Sequence, residues 1–376
     1  MQYQVKIQAG TLTIQTDREE MPLTALTDFA SRQNPKRGFL FVSKVLGKHI
    51  PCRPSLMRQV YERLARQLQN LPSPVVIVGM AETATGLGGG VAHSLARDRN
   101  AGTILYLHTT RHYVDAPVLA TFDEHHSHAP DHILYLPQQQ TAALFRKARS
   151  LVLVDDEIST GRTLNQLVLR LMVHMVKLEQ LVFTSIVNWL NQPQRQALQK
   201  NLRRRVRFAS LLDGKFQFQP NPAYQPLLPC RVSACQPSRV AQADTGRTGV
   251  LMRSGSVQLP EETLDNRPLV LVGTGEFAFA PFLAAEELER RGYDVLFQST
   301  TRSPILVGEA IRCKLAFWDE HGEGVMNYLY NLPNDRQVIV AYEHPHMAAL
   351  HDLPRQVNAR VWTLARCGTN PLLIWQ

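Results

Sequence analysis

The sequence predicts an α/β protein in which a parallel sheet with helices on both faces is joined to a second, smaller α/β domain, a degenerate copy of the first. Short apolar runs alternate with helical stretches, which is typical of right-handed strand–helix–strand units. These runs lack polar alternation, as expected for strands that are covered on both faces. Motifs of the first half also recur in the same order in the second half.

Four strands make up the predicted first sheet, and helices connect them. The strands are Val75–Val78, Thr103–Leu107, Leu151–Val154 and Leu181–Val187. The helices are Pro54–Leu71, a helix that ends at Ala96, Gln140–Arg149 and Leu164–Lys177. The first helix shows the clearest pattern, because its apolar residues recur along one stripe from Leu56 to Leu68.

The composition changes after the first predicted sheet. Residues 217–262 are rich in Pro, Gln, Ser and Gly and show weak periodicity, which is typical of a linker. A new strand–helix–strand pattern begins at Pro268. We therefore expect a domain at residues 1–216, a linker at 217–265 and a second domain at 266–376.

An internal repeat relates the two predicted domains. Each half has a strand that runs into Gly-x-x-Glu, then a Thr-Thr-Arg element, then an aromatic residue followed by Asp-Glu-His. The matched segments are 76–82 with 270–276, 109–111 with 300–302, and 122–125 with 318–321. The shared order indicates a duplicated domain.

The two copies differ after the third strand of each half. When residues 151–154 are aligned with 337–340, Ala341–Tyr342 stand in place of two acids of the first half. Only Glu157 persists in this alignment, as Glu343. We therefore expect only the first copy to keep its ligand site.

The composition is that of an ordinary globular protein. The chain has 376 residues, of which 44% are hydrophobic and 19% charged, enough for two domains with sizeable cores. No apolar run is long enough to span a bilayer, and Met1–Thr16 lacks the apolar centre of a signal peptide. We therefore expect a cytoplasmic protein with no membrane partner.

The net charge of +9 is compatible with two classes of partner. A basic chain can bind nucleic acid or a polyanionic small molecule. The sequence has no RNA-recognition motif and no zinc-finger spacing, so nucleic acid is a possible but not favoured partner. The five cysteines form no Cys-x-x-Cys pair, which favours free thiols over a metal site.

The segment Leu151–Thr163 carries the strongest functional signal. A buried strand leads into Asp155 and Asp156, and a loop with hydroxyl groups and a glycine then opens a helix. Ligands of parallel sheets bind beyond the carboxyl ends of the strands. Paired carboxylates can accept hydrogen bonds from ribose hydroxyls, and N–H groups at a helix N-terminus bind anions. The pattern therefore predicts a site for a ribose 5-phosphate.

This segment resembles the phosphoribosyl pyrophosphate (PRPP) signature of type I phosphoribosyltransferases. With Thr301–Pro304, the chain is similar to phosphoribosyltransferases that carry a TRSP domain and are encoded beside bacterial tellurium-resistance (stress-response) operons. The similarity includes Asn34–Pro51 and Cys367–Asn370. It implies a type I phosphoribosyltransferase-like sheet and Mg²⁺-dependent transfer of 5-phosphoribosyl from PRPP to an unidentified base or amine acceptor. The product would belong to the synthesis or salvage of a nucleotide-like metabolite.

The resemblance also implies roles for individual residues. Asp155 and Asp156 would hold the ribose hydroxyls, directly or through waters of Mg²⁺, and would form the catalytic set with Glu157. Glu157 could be a base or could point away. The 5-phosphate would be bound by Ser159, Thr160, Gly161, Arg162 and Thr163. Enzymes of the hypoxanthine–guanine type have an aspartate base at the position of Ser159, so this loop is more similar to adenine- or orotate-type enzymes.

Two other segments are expected to contact pyrophosphate. The loop Gly79–Gly86 would offer backbone N–H groups, and Glu82 would orient a metal-bound water. The expected contacts in this loop are Gly79, Glu82 and Thr83. Arg111, at a strand end, would supply a cation. An ordinary turn and a surface arginine are the competing interpretations. Weaker candidates for anion contact are Arg37, Lys44 and Lys48.

Several alternatives stay open from the sequence. The chain could be a non-catalytic PRPP-binding regulator, or an enzyme that forms or cleaves an N-glycosidic bond of a modified nucleotide. Phe122–His128 is expected to be a flap over the site, with a solvated loop or a zinc site as alternatives. The second copy could hold part of the acceptor, close the first site or bind a different anion. A homodimer is a possible assembly.

Overall fold

The computed structural model of the chain describes most of its length. The described residues are 1–32, 37–98, 100–122, 132–224, 245–253, 255, 257–259, 264, 266–366 and 373–375. Within them, no helix is both long enough and apolar enough to cross a membrane.

Strands and helices alternate along both halves, as the apolar runs predict. The strands are β1 Gln2–Ile7, β2 Gly10–Glu19, β3 Thr27–Ser31, β4 Phe39–Ser43, β5 Val75–Gly79, β6 Ile104–His108, β7 Val118–Phe122, β8 His132–Tyr135, β9 Ser150–Ile158, β10 Gln180–Asn188, β11 Val206–Pro220, β12 Val250–Leu251, β13 Leu269–Gly273, β14 Val295–Ser299, β15 Lys314–Trp318, β16 Met326–Tyr330, β17 Gln337–Tyr342, β18 Arg360–Arg366 and β19 Leu373–Trp375. The helices are α1 Leu23–Leu26, α2 Pro54–Arg66, α3 Ala84–Ala96, α4 Gln139–Arg146, α5 Arg162–Met172, α6 Gln192–Leu202, α7 Phe279–Arg290, α8 Pro345–Leu350 and α9 Leu353–Gln356.

An eight-stranded sheet in the order β1-β2-β11-β10-β9-β5-β6-β12 organises the first half. Its five central strands, from β11 to β6, are parallel, and the pairs β2–β11 and β6–β12 are antiparallel. Every residue of β5 and β6 is buried, so these strands are covered on both faces. The α/β fold class predicted from the apolar runs is therefore confirmed.

The second half repeats the central topology of the first. Its sheet has the order β14-β13-β17-β18-β19, and the first four of these strands are parallel. The order β14-β13-β17-β18 is the order β6-β5-β9-β10 of the first half, and β6 and β14 are each followed by an antiparallel hairpin, β7–β8 and β15–β16 respectively. The shared topology agrees with a duplicated domain.

The strand register corrects one detail of the repeat. Val75 lies opposite Ser150, and Leu269, its counterpart, lies opposite Gln337. Counting along both strands then matches Glu343 with Asp156 rather than with Glu157. The alignment from sequence was wrong by one residue, because the apolar runs of β9 and β17 are uniform enough to match in two registers.

The connection between the halves contributes to the first sheet. The strand β11 extends to Pro220, and β12 pairs with the outer edge of β6. Both lie partly or wholly within the predicted linker at 217–265, whose residues 225–244 are outside the described residues. The predicted domain boundaries stay a prediction.

Three helices form one part of the contact between the halves. The equivalent helices α3 and α7 pack against each other, and α2 packs against both. Tyr61 of α2 meets Phe282 of α7 edge to face, with ring centroids 5.0 Å apart. Beside them, the guanidinium of Arg58 forms two hydrogen bonds with the carboxylate of Glu286, of 2.5 and 2.7 Å. The helix α3 fits into this contact because its central residues are glycines.

The glycines of α3 allow a test of this packing. A Cβ at Gly90 would lie 2.2 Å from Cδ2 of the fully buried Tyr61, whereas a Cβ at Gly86 would lie 3.2 Å from the Cβ of Ala278. Both substitutions by alanine gain similar helix propensity. We expect Gly90→Ala to lower the free energy of unfolding by about 2 kcal/mol and Gly86→Ala to change it by less than about 1 kcal/mol. Chemical denaturation of both variants measures this, and equal effects would contradict the packing described.

Candidate active site

The predicted site residues come together at one edge of the first sheet. Gly79, the last residue of β5, lies opposite both Val154 of β9 and His108 of β6. The segments that follow Gly79 and His108 therefore leave the sheet beside the acid pair of β9. This is the carboxyl edge, where ligands of open α/β sheets bind.

The acid pair lies within a strand rather than after it. Asp155, Asp156 and Glu157 belong to β9, which extends to Ile158, and all three are half-buried. Asp156 donates its backbone N–H to Oδ1 of Asp155 at 3.0 Å. Burial and the charge of Glu157 raise the pKa of Asp156 to about 6, although a hydrogen bond with Asp155 and the charge of Arg37 oppose the shift. The strand continues because β10 pairs with β9 as far as Ile158.

A glycine turn connects β9 to α5. Gly161 has φ of 66°, in the left-handed region that favours glycine, and directly precedes Arg162, the first residue of α5. A Cβ at Gly161 would also lie 2.7 Å from Cδ1 of Leu198. Thr160 is exposed and Ser159 and Thr163 are half-buried, so this loop and the first turn of the helix are accessible. N–H groups of a first helical turn have no acceptor within the helix and can bind an anion.

Glu157 forms an ion pair with one of the weaker cation candidates. The guanidinium of Arg37 lies 2.6 Å from Oε1 and 2.9 Å from Oε2 of Glu157. The same guanidinium lies over the ring of Phe39, 4.8 Å from its centroid. The cation of Lys44, another candidate, donates instead to the carbonyl oxygen of Thr24 at the surface.

The two segments expected to contact pyrophosphate are bonded to each other. Thr109 donates its N–H to the carbonyl oxygen of Gly79 at 2.9 Å, and Ala81 donates its N–H to Oγ1 of Thr109 at 2.8 Å. Thr83 is half-buried and directly precedes α3. The loop after β5 and the turn after β6 therefore form one unit at the sheet edge.

Glu82 is directed toward the second half. Its Oε1 lies 2.6 Å from Nζ of Lys48, and its Oε2 accepts the N–H of Arg302 at 3.4 Å. Burial alone would raise the pKa of Glu82, but the ammonium of Lys48 and the guanidinium groups of Arg302 and Arg111 lower it below its usual value. The carboxylate is therefore ionised at neutral pH.

Arg111 is buried in the turn after β6. Its NH2 group lies 3.3 Å from Nε2 of His132, and its backbone N–H donates to Oε1 of Glu276 at 2.7 Å. Thr110 donates its hydroxyl to Oε2 of the same glutamate at 2.5 Å. The surface-arginine interpretation of Arg111 is therefore wrong, because the residue is only 8% exposed.

A buried arginine, Arg247, joins the two halves and was missed by the sequence analysis. It donates to Glu276 at 3.1 Å, to Thr110 at 3.1 Å and to both carboxylate oxygens of Glu343 at 2.8 and 2.9 Å. Burial alone would raise the pKa of Glu276, but His112 and Arg247 lower it. Glu276 and Glu343 could have been suspected from the repeat, whereas Arg247 falls in the predicted linker and has no sequence signal.

Most of the predicted flap cannot be compared with its copy, since residues 123–131 lie outside the described residues. The copy, Asp319–His321, is buried. His321 stacks on His112 with ring centroids 3.7 Å apart, and burial raises the pKa of Glu320 to about 7. Among the residues that the structure describes, no three His, Cys, Asp or Glu side chains are placed to hold a metal ion together.

The fold and the site edge define an α/β protein whose candidate site for phosphorylated ligands lies beyond a central parallel strand. The family model described as phosphoribosyl transferase matches residues 26–215, about half of the chain. The model of the TRSP domain, found C-terminal to that family's domain, matches residues 244–355. The chain therefore belongs to this family of phosphoribosyltransferase enzymes and carries its TRSP domain.

Solved structures to which this chain is similar include adenine phosphoribosyltransferases. The enzyme from Trypanosoma brucei, in complex with AMP, pyrophosphate and ribose 5-phosphate, has 14% identity and a TM-score of 0.36 over 51% of this chain and 77% of that one. The Giardia lamblia enzyme with 9-deazaadenine has 18% identity and a TM-score of 0.35 over 52% and 97%. A search of curated proteins gave no match. The assignment rests on the family match rather than on these likenesses.

The pKa of Asp156 leads to a testable dependence of stability on pH. The pKa of Asp156 is about 6 in the folded chain, above the ordinary value of 3.8, so folding favours the protonated carboxyl group. The stability that this protonation contributes is fully present below about pH 4 and is lost as the pH rises through 6. Asp156→Asn should prevent this loss of stability, because asparagine cannot ionise. We expect it to raise the free energy of unfolding by about 1–2 kcal/mol at pH 8, a value reduced for partial exposure.

Thermal and chemical unfolding at pH 8 and pH 4 measure this dependence. The exposed Asp17 of β2 supplies the matched control, Asp17→Asn. The gain from Asp156→Asn should disappear at pH 4. A variant that is less stable than the natural chain at pH 8 would show that the carboxylate of Asp156 stabilises the fold.

Proposed function

We propose that the first half transfers 5-phosphoribosyl from PRPP to a base or amine acceptor, with Mg²⁺ as cofactor. One arrangement supports this proposal above all. The acid pair Asp155–Asp156 lies near the carboxyl end of β9, and the Gly161 turn then leads into α5. The carboxylates would accept hydrogen bonds from the ribose hydroxyls, while N–H groups of residues 159–163 and their hydroxyls would bind the 5-phosphate.

The reaction would form a bond between an acceptor nitrogen and C1 of the ribose. The bond from C1 to the pyrophosphate oxygen would break, and pyrophosphate would leave with the electron pair. Positive charge develops on the ribose ring in such a step, so the ring and the leaving group must be held rigidly and their charges balanced. Asp155 and Asp156 would hold the ring, and the Gly79–Thr83 loop and Arg111 would hold pyrophosphate.

The donor set of the acid pair fits Mg²⁺. Two half-buried carboxylates are hard oxygen ligands, and Mg²⁺ usually binds one or two carboxylates while keeping waters and substrate oxygens. Bound there, the cation would neutralise charge on pyrophosphate. Glu82 is already paired with Lys48, so we propose that it acts on its loop rather than on a metal-bound water.

Glu157 is proposed as a member of the site, but its ion pair with Arg37 limits what it can do. Its contact with Arg37, in which one guanidinium nitrogen donates to both carboxylate oxygens, would have to open before the carboxylate could accept a proton from an acceptor. While the pair is closed, Glu157 would instead fix Arg37 near the end of β9. Small residues at positions 159–161 favour an acceptor other than a hypoxanthine- or guanine-type base.

Several finer statements stay predictions beside this proposal. They are the identity of the acceptor, the link to tellurium-resistance operons, the cytoplasmic location and a homodimer. A PRPP-binding regulator, which could use its basic charge to bind nucleic acid, and an enzyme acting on an N-glycosidic bond of a modified nucleotide are the alternative functions.

The test is release of pyrophosphate from PRPP and Mg²⁺ in the presence of a panel of bases and amines. In parallel, calorimetry measures PRPP affinity of the natural chain, of the double variant Asp155→Asn with Asp156→Asn, and of the control Asp17→Asn. We expect the double variant to lose PRPP affinity by at least about a hundredfold, because two charge-assisted contacts disappear.

Each alternative predicts a different result. A double variant that binds PRPP as the natural chain does would remove the acid pair from the site. PRPP binding without turnover on any acceptor, together with RNA binding that weakens steeply with salt, would favour the regulator. Release of a free base from a nucleotide without pyrophosphate would favour the N-glycosidic enzyme.

A further inference from the structure

The two halves exchange equivalent contacts across their interface. The repeat gives each half a Gly-x-x-Glu loop and a Thr-Thr-Arg turn, and the glutamate of each loop binds the turn of the other half. Glu276 accepts from Thr110 and from the N–H of Arg111, and Glu82 accepts from the N–H of Arg302. Both segments of the first half that are expected to contact pyrophosphate are therefore tied to the second half.

The contact of Glu276 with the first half is the stronger one. Its two oxygens accept from the hydroxyl of Thr110 at 2.5 Å and from the N–H of Arg111 at 2.7 Å. A carboxylate that accepts in this way makes short, strong hydrogen bonds. These bonds fix the backbone from which the side chain of Arg111 projects.

Arg247 holds Glu276 in this position. Its guanidinium bonds Glu276, Thr110 and, through two nitrogens, Glu343. Arg247, Glu276 and Glu343 are all buried, so each charge needs its partners. Glu343, the residue directly after β17, corresponds to Asp156 in the register of the paired strands. An acid that would serve the ligand site in the first copy is thus part of an internal ion cluster in the second.

The second contact holds the loop after β5. Nζ of Lys48 lies 2.6 Å from Oε1 of Glu82 and donates to the carbonyl oxygen of Gly275 at 2.9 Å. Because its ammonium group contacts both Gly-x-x-Glu loops, the buried Lys48 links them directly. The loop after β5 and the turn after β6 are also bonded to each other through Thr109. The second half thus contacts one connected unit at two points.

We propose that the second half is a built-in positioning element, in which Glu276, held by Arg247 and Glu343, fixes the Thr110–Arg111 turn for contact with the pyrophosphate of PRPP. This inference rests on the proposed function, because it assigns Arg111 to pyrophosphate. Glu276 is a positioning residue, since it acts through the turn and through Arg111. The second copy, which lacks the glycine turn of its own site, keeps the two loops because the first copy needs them.

The experiment compares the full chain with Glu276→Gln, which keeps the shape of the side chain and leaves Arg247 paired with Glu343. Calorimetry in the presence of Mg²⁺ measures the affinity for PRPP and for ribose 5-phosphate, which lacks pyrophosphate. We expect PRPP affinity to fall about tenfold and ribose 5-phosphate affinity to stay within about twofold. In an Arg111→Ala background, Glu276→Gln should have little further effect on PRPP affinity.

A measurement without ligand separates this inference from the proposed function. Hydrogen–deuterium exchange should become faster at residues 109–112 in Glu276→Gln, and also in Thr110→Val, which removes the contact from the first-half side. The control is Glu287→Gln on α7, a buried glutamate whose substitution removes the pairs with the exposed Arg290 and Arg291. In Glu287→Gln, hydrogen–deuterium exchange at residues 109–112 and the affinities for PRPP and ribose 5-phosphate should all stay unchanged.

The outcomes are distinct. Unchanged exchange at residues 109–112 would overturn the positioning role, as would equal losses of affinity for PRPP and ribose 5-phosphate. Faster exchange with unchanged PRPP affinity would overturn the link to pyrophosphate. If the natural chain binds no PRPP, the proposed function fails, and the exchange measurement still decides whether Glu276 holds the turn.

Discussion

Parallel pairing of β5, β6 and β9 is the constraint on which the candidate site depends. Because these strands are adjacent and parallel, the segments that follow Gly79 and His108 leave the sheet beside the acid pair. None of these segments is close to another in sequence. The buried strands hold the edge rigid, so a half-buried acid such as Asp156 can be kept near other charges at a cost to stability.

Duplication gives this sheet a neighbour with the same strand order. The corresponding helices α3 and α7 meet, and the corresponding glutamates cross to the opposite half. Divergence has affected the copies unequally. The first keeps carboxylates at an accessible edge, whereas the second uses Glu343 and Glu276 to pair with Arg247 inside the protein. The same residue types are therefore proposed to contact the ligand in the first copy, whereas in the second copy they balance the charge of a buried arginine.

The sequence predicts the local features of this fold well. The uniform apolar runs indicate β5, β6, β9 and β13, and the glycine before a helical stretch indicates the turn at Gly161. The partners of charged residues are not predictable in the same way. Arg247 binds Glu276 and Glu343, and Arg37 binds Glu157, across long sequence separations that no local pattern records. The one-residue error at Glu343 has a related cause, because only the register of paired strands decides between two equally apolar alignments.

Arg247 belongs to the connecting segment rather than to either sheet. A chain cut at residue 216 would keep Thr110 and Arg111 but lose Glu276, which accepts hydrogen bonds from both. A chain that begins at residue 266 would keep Glu276 and Glu343, two buried carboxylates facing each other without the cation between them. Dissection at the apparent borders of the repeat would thus leave uncompensated buried charge in the second half, which depends on the connecting segment for its charge balance.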